Sequence, residues 1–268
     1  SDEDLSTARA RGARIEAVYS PLDAVRLAQR QIQDQVVFFA VGFETTAPAT
    51  ALAVLQARAL KLTNFSLLVA HVRVPPAVEA LLAAPDHRIQ ALLAAGHVCA
   101  VMGLAEYEPL VRRFRLPVVA TGFEPLDILR GIARAVDQLE DGEAQLENAY
   151  SRAVTAHGEG QARRLLDAVF ESATRPWRGL GEIPGGALRL RSAWQSFDAE
   201  ARFGCARASE SNHPDCQAAA VLTGRLVPSA CPAFGRQCRP EHPLGAPMVS
   251  AEGACAAYFH YRAPQETA

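Results

Sequence analysis

The cysteines are the residues in this sequence with the clearest potential for chemistry, because five of the six lie in its last quarter. These five are Cys205, Cys216, Cys231, Cys238 and Cys255. A group of thiols in a chain without an export signal is typical of a metal or cluster site, since cellular thiols keep disulfides reduced. The sixth, Cys99, stands in an apolar stretch and is predicted to be a buried small hydrophobe.

The spacing of the clustered cysteines favours an iron-sulfur cluster over zinc. Zinc sites usually contain Cys-x2-4-Cys pairs, which are absent here, whereas iron-sulfur clusters accept thiolates from scattered loops. Cys231 and Cys238 each border a turn that contains proline, at Pro232 and Pro240, and a rigid turn presents a thiolate with little loss of entropy. On spacing alone, structural zinc and unligated thiols stay open as alternatives.

A second set of polar residues follows predicted strands in the first half of the chain. These residues are Glu44, Thr45 and Thr46 in one strand-to-helix loop, His97 after Gly96, and Glu124 in a second such loop. Ligands bind beyond the carboxyl ends of strands in open parallel sheets, so these side chains are candidates for lining a cleft, although the residue types by themselves favour the alternatives below. His97 could donate a proton or bind iron. Helix capping by the hydroxyl and carboxyl groups, and a structural role for His97, are the alternatives.

Strands alternate with helices before residue 130, which predicts an α/β fold with a mostly parallel sheet. The predicted strands are Ile15 to Tyr19, Val36 to Val41, Ser66 to Val72, Ala91 to Leu93 with Val98 to Met102 as a continuation, and Leu116 to Ala120; the predicted helices include Ala49 to Leu60 and Pro75 to Leu82. Tyr19-Ser20-Pro21-Leu22-Asp23 and Phe123-Glu124-Pro125-Leu126-Asp127 resemble each other, and each is predicted to open a helix.

This pattern divides the chain into three predicted parts. Residues 1–34 read as the end of a preceding α/β domain, and residues 35–130 as a Rossmann-like α/β cleft domain. Residues 131–268 are predicted to form a helical, loop-rich iron-sulfur domain, because the segment from Phe203 to Pro247 is rich in Pro and Cys with little periodicity. A loop-rich stretch of that length needs more than hydrophobic burial to hold it together.

Composition excludes several classes of function. The net charge of -2 offers no general attraction for nucleic acid or for an anionic membrane. The apolar runs are much shorter than the roughly 20 residues that a membrane-spanning helix needs. No signal peptide pattern opens the chain, so we expect a soluble protein of the reducing cytoplasm, without nucleic-acid or membrane partners.

Several strings together carry a resemblance to one family. They are Gly42-Phe43-Glu44-Thr45-Thr46-Ala47-Pro48, Gly96-His97-Val98, Gly122-Phe123-Glu124-Pro125-Leu126-Asp127, Trp177-Arg178-Gly179-Leu180-Gly181 and Glu252-Gly253-Ala254-Cys255-Ala256-Ala257. In content and order they resemble motifs of the HypD family, which takes part in assembling the iron centre of nickel-iron hydrogenases. The resemblance covers nearly the whole chain, and it implies that Glu44, Thr45 and Thr46 line a cleft and do not merely cap a helix.

The resemblance implies a cytoplasmic scaffold that works with a HypC-type small chaperone and a HypE-type cyanide donor. Its transient cargo would be iron carrying cyanide and carbon monoxide, and its redox centre a 4Fe-4S cluster. By motif, Cys231, Cys238 and Cys255 match three cluster ligands. Cys216 is the expected fourth, although the family cysteine lies closer to a Val-Leu-x-Gly string than Cys216 does, and Cys205 is the reserve.

Two family motifs are missing from these 268 residues, namely Cys-Gly-Gly-His and Gly-Cys-Pro-x-Cys. In the family they carry the thiol that holds iron and a redox-active thiol pair. We therefore expect the chain to be the carboxyl-terminal part of such a scaffold. The rival hypothesis is an α/β enzyme that binds a small molecule and contains structural zinc; the absence of Gly-x-Gly-x-x-Gly after a strand and of a Walker string counts against common phosphate-binding enzymes.

Overall fold

The structure is a computed structural model that describes residues 4–204 and 213–261. In chain order, the helices are α1 (Leu5–Ala10), α2 (Pro21–Arg30), α3 (Ala47–Ala59), α4 (Val74–Leu82), α5 (Gly96–Met102), α6 (Glu108–Phe114), α7 (Pro125–Glu140), α8 (Gly160–Val169), α9 (Ala199–Phe203), α10 (Ala218–Leu222), α11 (Ala246–Val249) and α12 (Ala254–Tyr261). The strands are β1 (Val36–Gly42), β2 (Phe65–His71), β3 (Leu92–Ala95), β4 (Val118–Thr121), β5 (Leu146–Asn148), β6 (Phe170–Trp177) and β7 (Gly181–Leu190).

The first structural unit is built on β1 and β2, which pair in parallel from Val36 opposite Phe65 to Gly42 opposite His71. Helices α2 and α3 pack on these strands, and α8 packs on α3. The antiparallel hairpin β6–β7 lies beside β2, where Val72 bridges to Ala187. Their apolar side chains share one core in which Phe65 and Leu67 are fully buried.

Asn64 joins the end of α2 to the start of β2. Its side-chain amide donates hydrogen bonds to the backbone carbonyls of Ala28 at 3.0 Å, Gln31 at 3.0 Å and Asp34 at 2.9 Å. The carbonyls at a helix end have no hydrogen-bond partner inside the helix. A buried amide that donates to them satisfies these groups without water. Asn64 itself is buried.

The second unit is the parallel sheet β3–β4–β5, with Leu92 opposite Val118 and Val118 opposite Leu146. All residues of the central strand β4 are buried. Helix α7 packs on β3 and β4, and α5 contacts the same two strands. The core of this unit includes Val118, Ala120 and Tyr107.

The cysteine-rich region has a much smaller core. Within residues 213–261, the buried residues that cluster together are Ala233, Cys238, Met248 and Ala256. The region is tied to the second unit by a backbone hydrogen bond from Arg88 to Thr223 at 2.8 Å and by an ion pair between Arg225 and Asp86. So little apolar burial offers limited stabilisation by itself.

The prediction of an α/β fold with parallel sheets is confirmed, and β1, β2 and β4 lie within two residues of the predicted bounds. Both predicted helix openings, at Pro21 and Pro125, are also confirmed.

Three local predictions fail. The predicted strand from Ile15 to Tyr19 is wrong, because residues 13–18 have no regular secondary structure and the segment pairs with no strand among the described residues. The continuation of a strand through Val98 to Met102 is also wrong, because these residues belong to helix α5. That helix begins at Gly96, where a side chain would overlap Thr121 and Tyr150. The hairpin β6–β7 was not predicted.

The predicted domain boundaries at residues 34 and 130 stay predictions, and the packing gives their context. Helix α2 shares a core with β1, β2 and α3, while α7 crosses residue 130 and packs on β3 and β4. Helix α8 and the β6–β7 hairpin pack on the first unit. None of the helices in the described residues is both long and apolar enough to cross a bilayer.

Replacing Leu67 by Ala should lower the free energy of unfolding by about 2–5 kcal/mol, because the truncation leaves a cavity in the core of the first unit. Leu67 is fully buried, whereas Leu52 on α3 is 43% exposed. The matched Leu52→Ala variant should change the free energy by no more than about 0.5 kcal/mol. Denaturant unfolding followed by tryptophan fluorescence measures both, and equal losses in the two variants would contradict the packing described.

Candidate functional site

Four cysteines from separate segments line one pocket in the carboxyl-terminal region: Cys216, Cys231, Cys238 and Cys255. Cys216 precedes α10, Cys255 is the second residue of α12, and the other two lie in the loop between them. The rest of the lining is mainly apolar, including Phe234, Leu244 and Met248. The structure therefore brings the four predicted ligands together.

Backbone hydrogen bonds shape the loop that carries two of these thiols. Cys231 follows a short 3-10 helix, Pro228–Ala230, and its carbonyl accepts from Phe234 N at 3.0 Å. Cys238 N donates to Ala233 O at 2.9 Å, and Cys238 O accepts from Gly235 N at 3.0 Å. Gly235 has φ of 69°, a conformation that glycine adopts at no steric cost. The loop thus turns back on itself and holds Cys231 and Cys238 on one pocket.

Gly245 allows Cys216 to approach the pocket closely. A Cβ atom at Gly245 would overlap the Cys216 sulfur, so any larger residue here must displace one of the two. Cys216 N also donates to His213 O at 2.9 Å, which fixes the start of this segment. Cys205, the reserve ligand, lies outside the described residues.

The thiols are close enough to influence one another electrostatically. Burial, together with smaller contributions from the neighbouring Cys238, Cys231 and Cys216, raises the pKa of Cys255 to about 11. A bound cation would reverse this effect by stabilising the thiolates. In residues 4–204 and 213–261, however, no three Cys, His, Asp or Glu side chains lie close enough to hold a single metal ion. None of these four cysteines forms a disulfide, and a set of thiols in an apolar pocket is a donor set that fits an iron-sulfur cluster.

Glu44 is buried, and its side chain is among those that line a cavity. Its Oε1 accepts a hydrogen bond from Val74 N at 2.8 Å, at the first residue of α4, and its Oε2 has no partner among the described residues. Burial raises the pKa of Glu44, and the bond from Val74 offsets this only in part. Arg73, which pairs with Glu106, lies nearby on the border of a cavity of about 310 Å³.

Thr45 and Thr46 are exposed at the carboxyl end of β1. The alternative that they cap α3 is wrong, since Thr46 occupies the cap position without a side-chain capping bond and instead donates to Phe43 O at 3.1 Å. Phe43 in the same loop packs at 6.4 Å, between ring centroids, against Trp177 of β6. The loop is thus anchored, and its hydroxyl groups remain reachable.

His97 is exposed at the start of α5, at the carboxyl end of β3. Its ring centroid lies 4.8 Å from that of Phe123 and 6.4 Å from that of Tyr150. Gly96 and Gly122 both pack against the Tyr150 ring so tightly that a Cβ at either position would overlap it. The two glycines and Tyr150 therefore set the position of His97 at this edge of the sheet.

Glu124 lies at the carboxyl end of β4 and is largely exposed. The alternative that it caps α7 is wrong, because its side chain makes no capping hydrogen bond. Its Oε2 is 3.5 Å from Arg152, which forms a stronger bidentate pair with the buried Asp127, at 2.8 and 2.5 Å. That pair lowers the pKa of Asp127. Glu124 and His97 share an edge of the second sheet, while Glu44 to Thr46 lie on the first.

A comparison with models of protein families finds a match over nearly the whole chain. The model described as "Hydrogenase formation hypA family", under the family name HypD, matches residues 1–262. This chain belongs to the HypD family. Among curated proteins, the HypD hydrogenase maturation factor of Azotobacter vinelandii is 44% identical over 263 residues, covering 96% of this chain and 69% of that protein.

Two further relatives agree. The HypD protein of Rhodobacter capsulatus is 45% identical over 264 residues, which is 96% of this chain and 70% of that protein. The HypD protein of Escherichia coli K12 is 42% identical over 265 residues, covering 98% of this chain and 71% of that protein. Each relative is therefore longer than this HypD-family chain.

Tyr150 and Arg152 contact the candidate residues His97 and Glu124 in this HypD-family chain, and sequence reasoning missed both. They follow β5, a strand of only three residues whose sequence, Leu146-Glu147-Asn148, has no apolar run. Arg152 also lies over the Tyr150 ring, 4.5 Å from its centroid. The one available signal was their position after β5, because Glu44 follows β1 and Glu124 follows β4 in the same way.

The buried carboxyl group of Glu44 should make stability depend on pH. Because its pKa is raised in the folded state, the folded protein holds a proton that the unfolded chain releases, so this contribution is present at low pH and lost as pH rises through the folded-state pKa. Glu44→Gln keeps an acceptor for Val74 N and cannot ionise. We expect Glu44→Gln to gain stability relative to the native protein as pH increases from about 4.5 to 8.

Denaturant unfolding at several pH values tests this expectation, with the exposed Glu140→Gln as the matched control. The control should follow the native protein across the range. A constant difference between Glu44→Gln and the native protein at all pH values would show that Glu44 does not bind the extra proton.

Proposed function

We propose that this chain acts in hydrogenase maturation as a scaffold that carries a 4Fe-4S cluster and takes part in assembling the Fe(CN)2CO centre of nickel-iron hydrogenases. The convergence of Cys216, Cys231, Cys238 and Cys255 on one pocket is the observation that carries this proposal. Membership of the HypD family, whose curated relatives are named hydrogenase maturation factors, supports the biological role.

The four thiolates would hold the cluster, and the chain supplies the conditions that cluster retention needs. Phe234, Leu244 and Met248 surround the sulfur atoms with apolar atoms and limit access of water. The turn at Gly235 and the close approach at Gly245 keep the ligand loops in place. When bound, such a cluster accepts or donates single electrons at a potential set by burial and hydrogen bonding.

The iron cargo with its cyanide and carbon monoxide ligands would be handled at the strand ends. Thr45, Thr46 and His97 are exposed there, so their hydroxyl and imidazole groups can donate hydrogen bonds to a ligand such as cyanide. Glu44 supports this role from beneath, because its bond to Val74 fixes the loop that displays the two threonines. Glu124 adds an exposed carboxylate near His97. The proposed partners are a HypC-type small chaperone and a HypE-type cyanide donor.

Anaerobic reconstitution of the purified chain should give about four irons and four sulfides per chain. Ala substitution at Cys231, Cys238 or Cys255 should lose the cluster, because an iron without its thiolate is open to solvent and exchange. The matched control, Cys99→Ala, removes a fully buried thiol far from the pocket in sequence and should retain it. Iron and sulfide analysis together with absorption spectra give the readout. Stoichiometric zinc without sulfide would instead support the rival enzyme with structural zinc.

The same experiment identifies the fourth ligand. Cys216→Ala should lose the cluster and Cys205→Ala should retain it, if Cys216 serves in the pocket that it lines. Gly245→Ala provides an independent check, since its methyl group would overlap the Cys216 sulfur while leaving all thiols present. The opposite result for the two cysteines would assign the role to Cys205.

A chimera tests the maturation role itself. The part of the Escherichia coli relative that this chain does not match, joined to this chain, should restore hydrogenase activity in cells that lack that relative. The same chimera with Cys231→Ala should fail, and with Cys99→Ala it should succeed. Hydrogen uptake by the cells is the measurement. Activity in the Cys231→Ala chimera would contradict a required cluster, and inactivity of a chimera that folds and holds iron would contradict the maturation role.

A further inference from the structure

Asp127, in the first turn of α7, is a buried carboxylate that forms a bidentate pair with Arg152. Its side chain is 3% exposed, and its two oxygens accept from the two terminal nitrogens of the guanidinium at 2.8 and 2.5 Å. The backbone of Asp127 is also fixed, because its carbonyl accepts from Thr121 Oγ1 at 2.7 Å, at the end of β4. Since two parallel bonds define the plane of the pair, Asp127 holds the Arg152 guanidinium in one place.

The guanidinium of Arg152 lies over the ring of Tyr150, 4.5 Å from the ring centroid. A cation at this distance from an aromatic face is attracted by the electrons of the ring. The backbone of Tyr150 is fixed separately by Asn148, whose side-chain oxygen accepts from Tyr150 N at 3.0 Å. Both the backbone and the ring of Tyr150 are therefore held by residues of the second unit.

The Tyr150 ring also packs on two glycines at the ends of neighbouring strands. A Cβ at Gly96, directly after β3, would come within 2.5 Å of Tyr150 Cδ1. A Cβ at Gly122, directly after β4, would come within 2.8 Å of Tyr150 Cε2 and would overlap Asp127 as well. Because Cδ1 and Cε2 are opposite corners of the ring, the ring spans both glycines.

The orientation of His97 depends on this ring. His97 is exposed, and within residues 4–204 and 213–261 its imidazole makes no hydrogen bond to a side chain. An exposed side chain changes rotamer within nanoseconds unless its neighbours restrict it. The neighbouring rings are Phe123, at 4.8 Å between centroids, and Tyr150, at 6.4 Å. Phe123 is itself 59% exposed, so Tyr150 is the more firmly held of the two.

We propose that Arg152 is a positioning residue for His97: held by Asp127, it keeps the Tyr150 ring seated on Gly96 and Gly122, and the ring in turn keeps the imidazole in one orientation. The inference deepens the proposed function and rests on it in one respect, the use of His97 in handling the iron cargo. The geometry can be tested without any hydrogenase assay.

An arginine suits this role in a way that a lysine does not. A planar guanidinium can form two parallel bonds to a carboxylate while it lies over a ring, whereas an ammonium group is a compact charge without a plane. Arg152→Lys therefore separates geometry from charge. If Arg152 served only to place a positive charge near His97, the lysine variant would behave like the native protein.

Nuclear magnetic resonance of the full chain, labelled at histidine, tests the geometry. The sequence contains seven histidines, and the ring signals that vanish in His97→Gln are those of His97. The ring currents of Phe123 and Tyr150 should displace these signals from the position of a solvated histidine. Arg152→Gln, Arg152→Lys and Tyr150→Leu should each move them towards the solvated position. Tyr150→Phe, which keeps the ring, should leave them in place.

Arg134→Gln is the matched control. It removes an arginine–carboxylate pair from the same helix, since Arg134 pairs with Glu147 at 2.8 Å, and it should leave the His97 signals unchanged. Tyr150→Leu keeps the Asp127–Arg152 pair, so it tests the proposal even if Arg152→Gln fails to fold. Signals that stay in place in Tyr150→Leu, or that move equally in Tyr150→Phe, would overturn the proposal. Native behaviour of Arg152→Lys would do so as well.

The chimera with the Escherichia coli relative tests the consequence for maturation. Arg152→Gln should lower hydrogen uptake by roughly tenfold or more, as His97→Gln does, because a misplacement of about 1 Å can cost about a hundredfold in rate. Its iron and sulfide content should equal that of the unmodified chimera, which separates this effect from loss of the cluster. Arg134→Gln should keep full activity.

The outcomes distinguish this inference from the proposed function. Full activity of the Arg152→Gln or the His97→Gln chimera would overturn the positioning role. An inactive unmodified chimera that folds and holds iron would instead contradict the maturation role, and the His97 signals would still decide whether Arg152 sets the orientation of the imidazole.

Discussion

The removal of the Glu44 carboxyl group from water is the constraint on which the arrangement of the first strand ends depends. Its hydrogen bond to Val74 N joins the end of β1 to the start of α4, 30 residues later. Because a buried carboxyl without such a partner would be costly, the loop that follows β1 has little freedom to move away. The exposure of Thr45 and Thr46 follows from this anchoring, since their neighbour points inward and turns them to solvent.

The same carboxyl group lies where the two α/β units meet. It influences the pKa of Cys99 on α5 and of Tyr107 beside α6. Both side chains are buried, and burial raises the pKa of each. Arg73, next to the bonded Val74, pairs with Glu106 of the second unit and donates to Gly185 O of the β6–β7 hairpin at 3.2 Å. A short polar network thus joins three structural elements that are distant in sequence.

The cysteine-rich region is held together by different interactions. Its buried cluster contains only a few residues, so hydrophobic burial supplies little of what holds its loops together. Turns supply part of the order, at Gly235 and in the hydrogen bonds between Ala233 and Cys238. In small domains of this kind, metal or cluster binding can contribute folding free energy directly, which couples the state of the thiols to the state of the fold.

Sequence reasoning succeeded where a pattern is long and local. The apolar run before Gly42 predicted β1, and the two similar strings that contain Pro21 and Pro125 predicted the starts of α2 and α7. The grouping of four of the cysteines could be read from their clustering. It failed where packing between distant segments decides the structure, as for the burial of Glu44, the helical state of Val98 to Met102, and the β6–β7 hairpin.

Some of these failures have identifiable causes. Ile15 to Tyr19 has the composition of a strand, but composition does not reveal whether a neighbouring strand lies within hydrogen-bonding distance. Glu124 stands at a cap position, yet its side chain turns towards Arg152, a residue 28 positions later. Arg152 could be recognised only once β5 had been identified, and three residues of mixed polarity do not identify a strand.

The three hydrogen bonds of the Asn64 amide have a consequence for how the first unit opens. Helix ends usually fray independently of the rest of a protein, with a small free-energy cost. Here the Ala28 carbonyl in the last turn of α2, and the Gln31 and Asp34 carbonyls that follow the helix, accept hydrogen bonds from the side chain of Asn64, the residue just before β2. Loosening the end of α2 therefore requires breaking hydrogen bonds to the buried Asn64 amide. Helix α2 and strand β2 thus form one cooperative unit, which also includes the segment before β1.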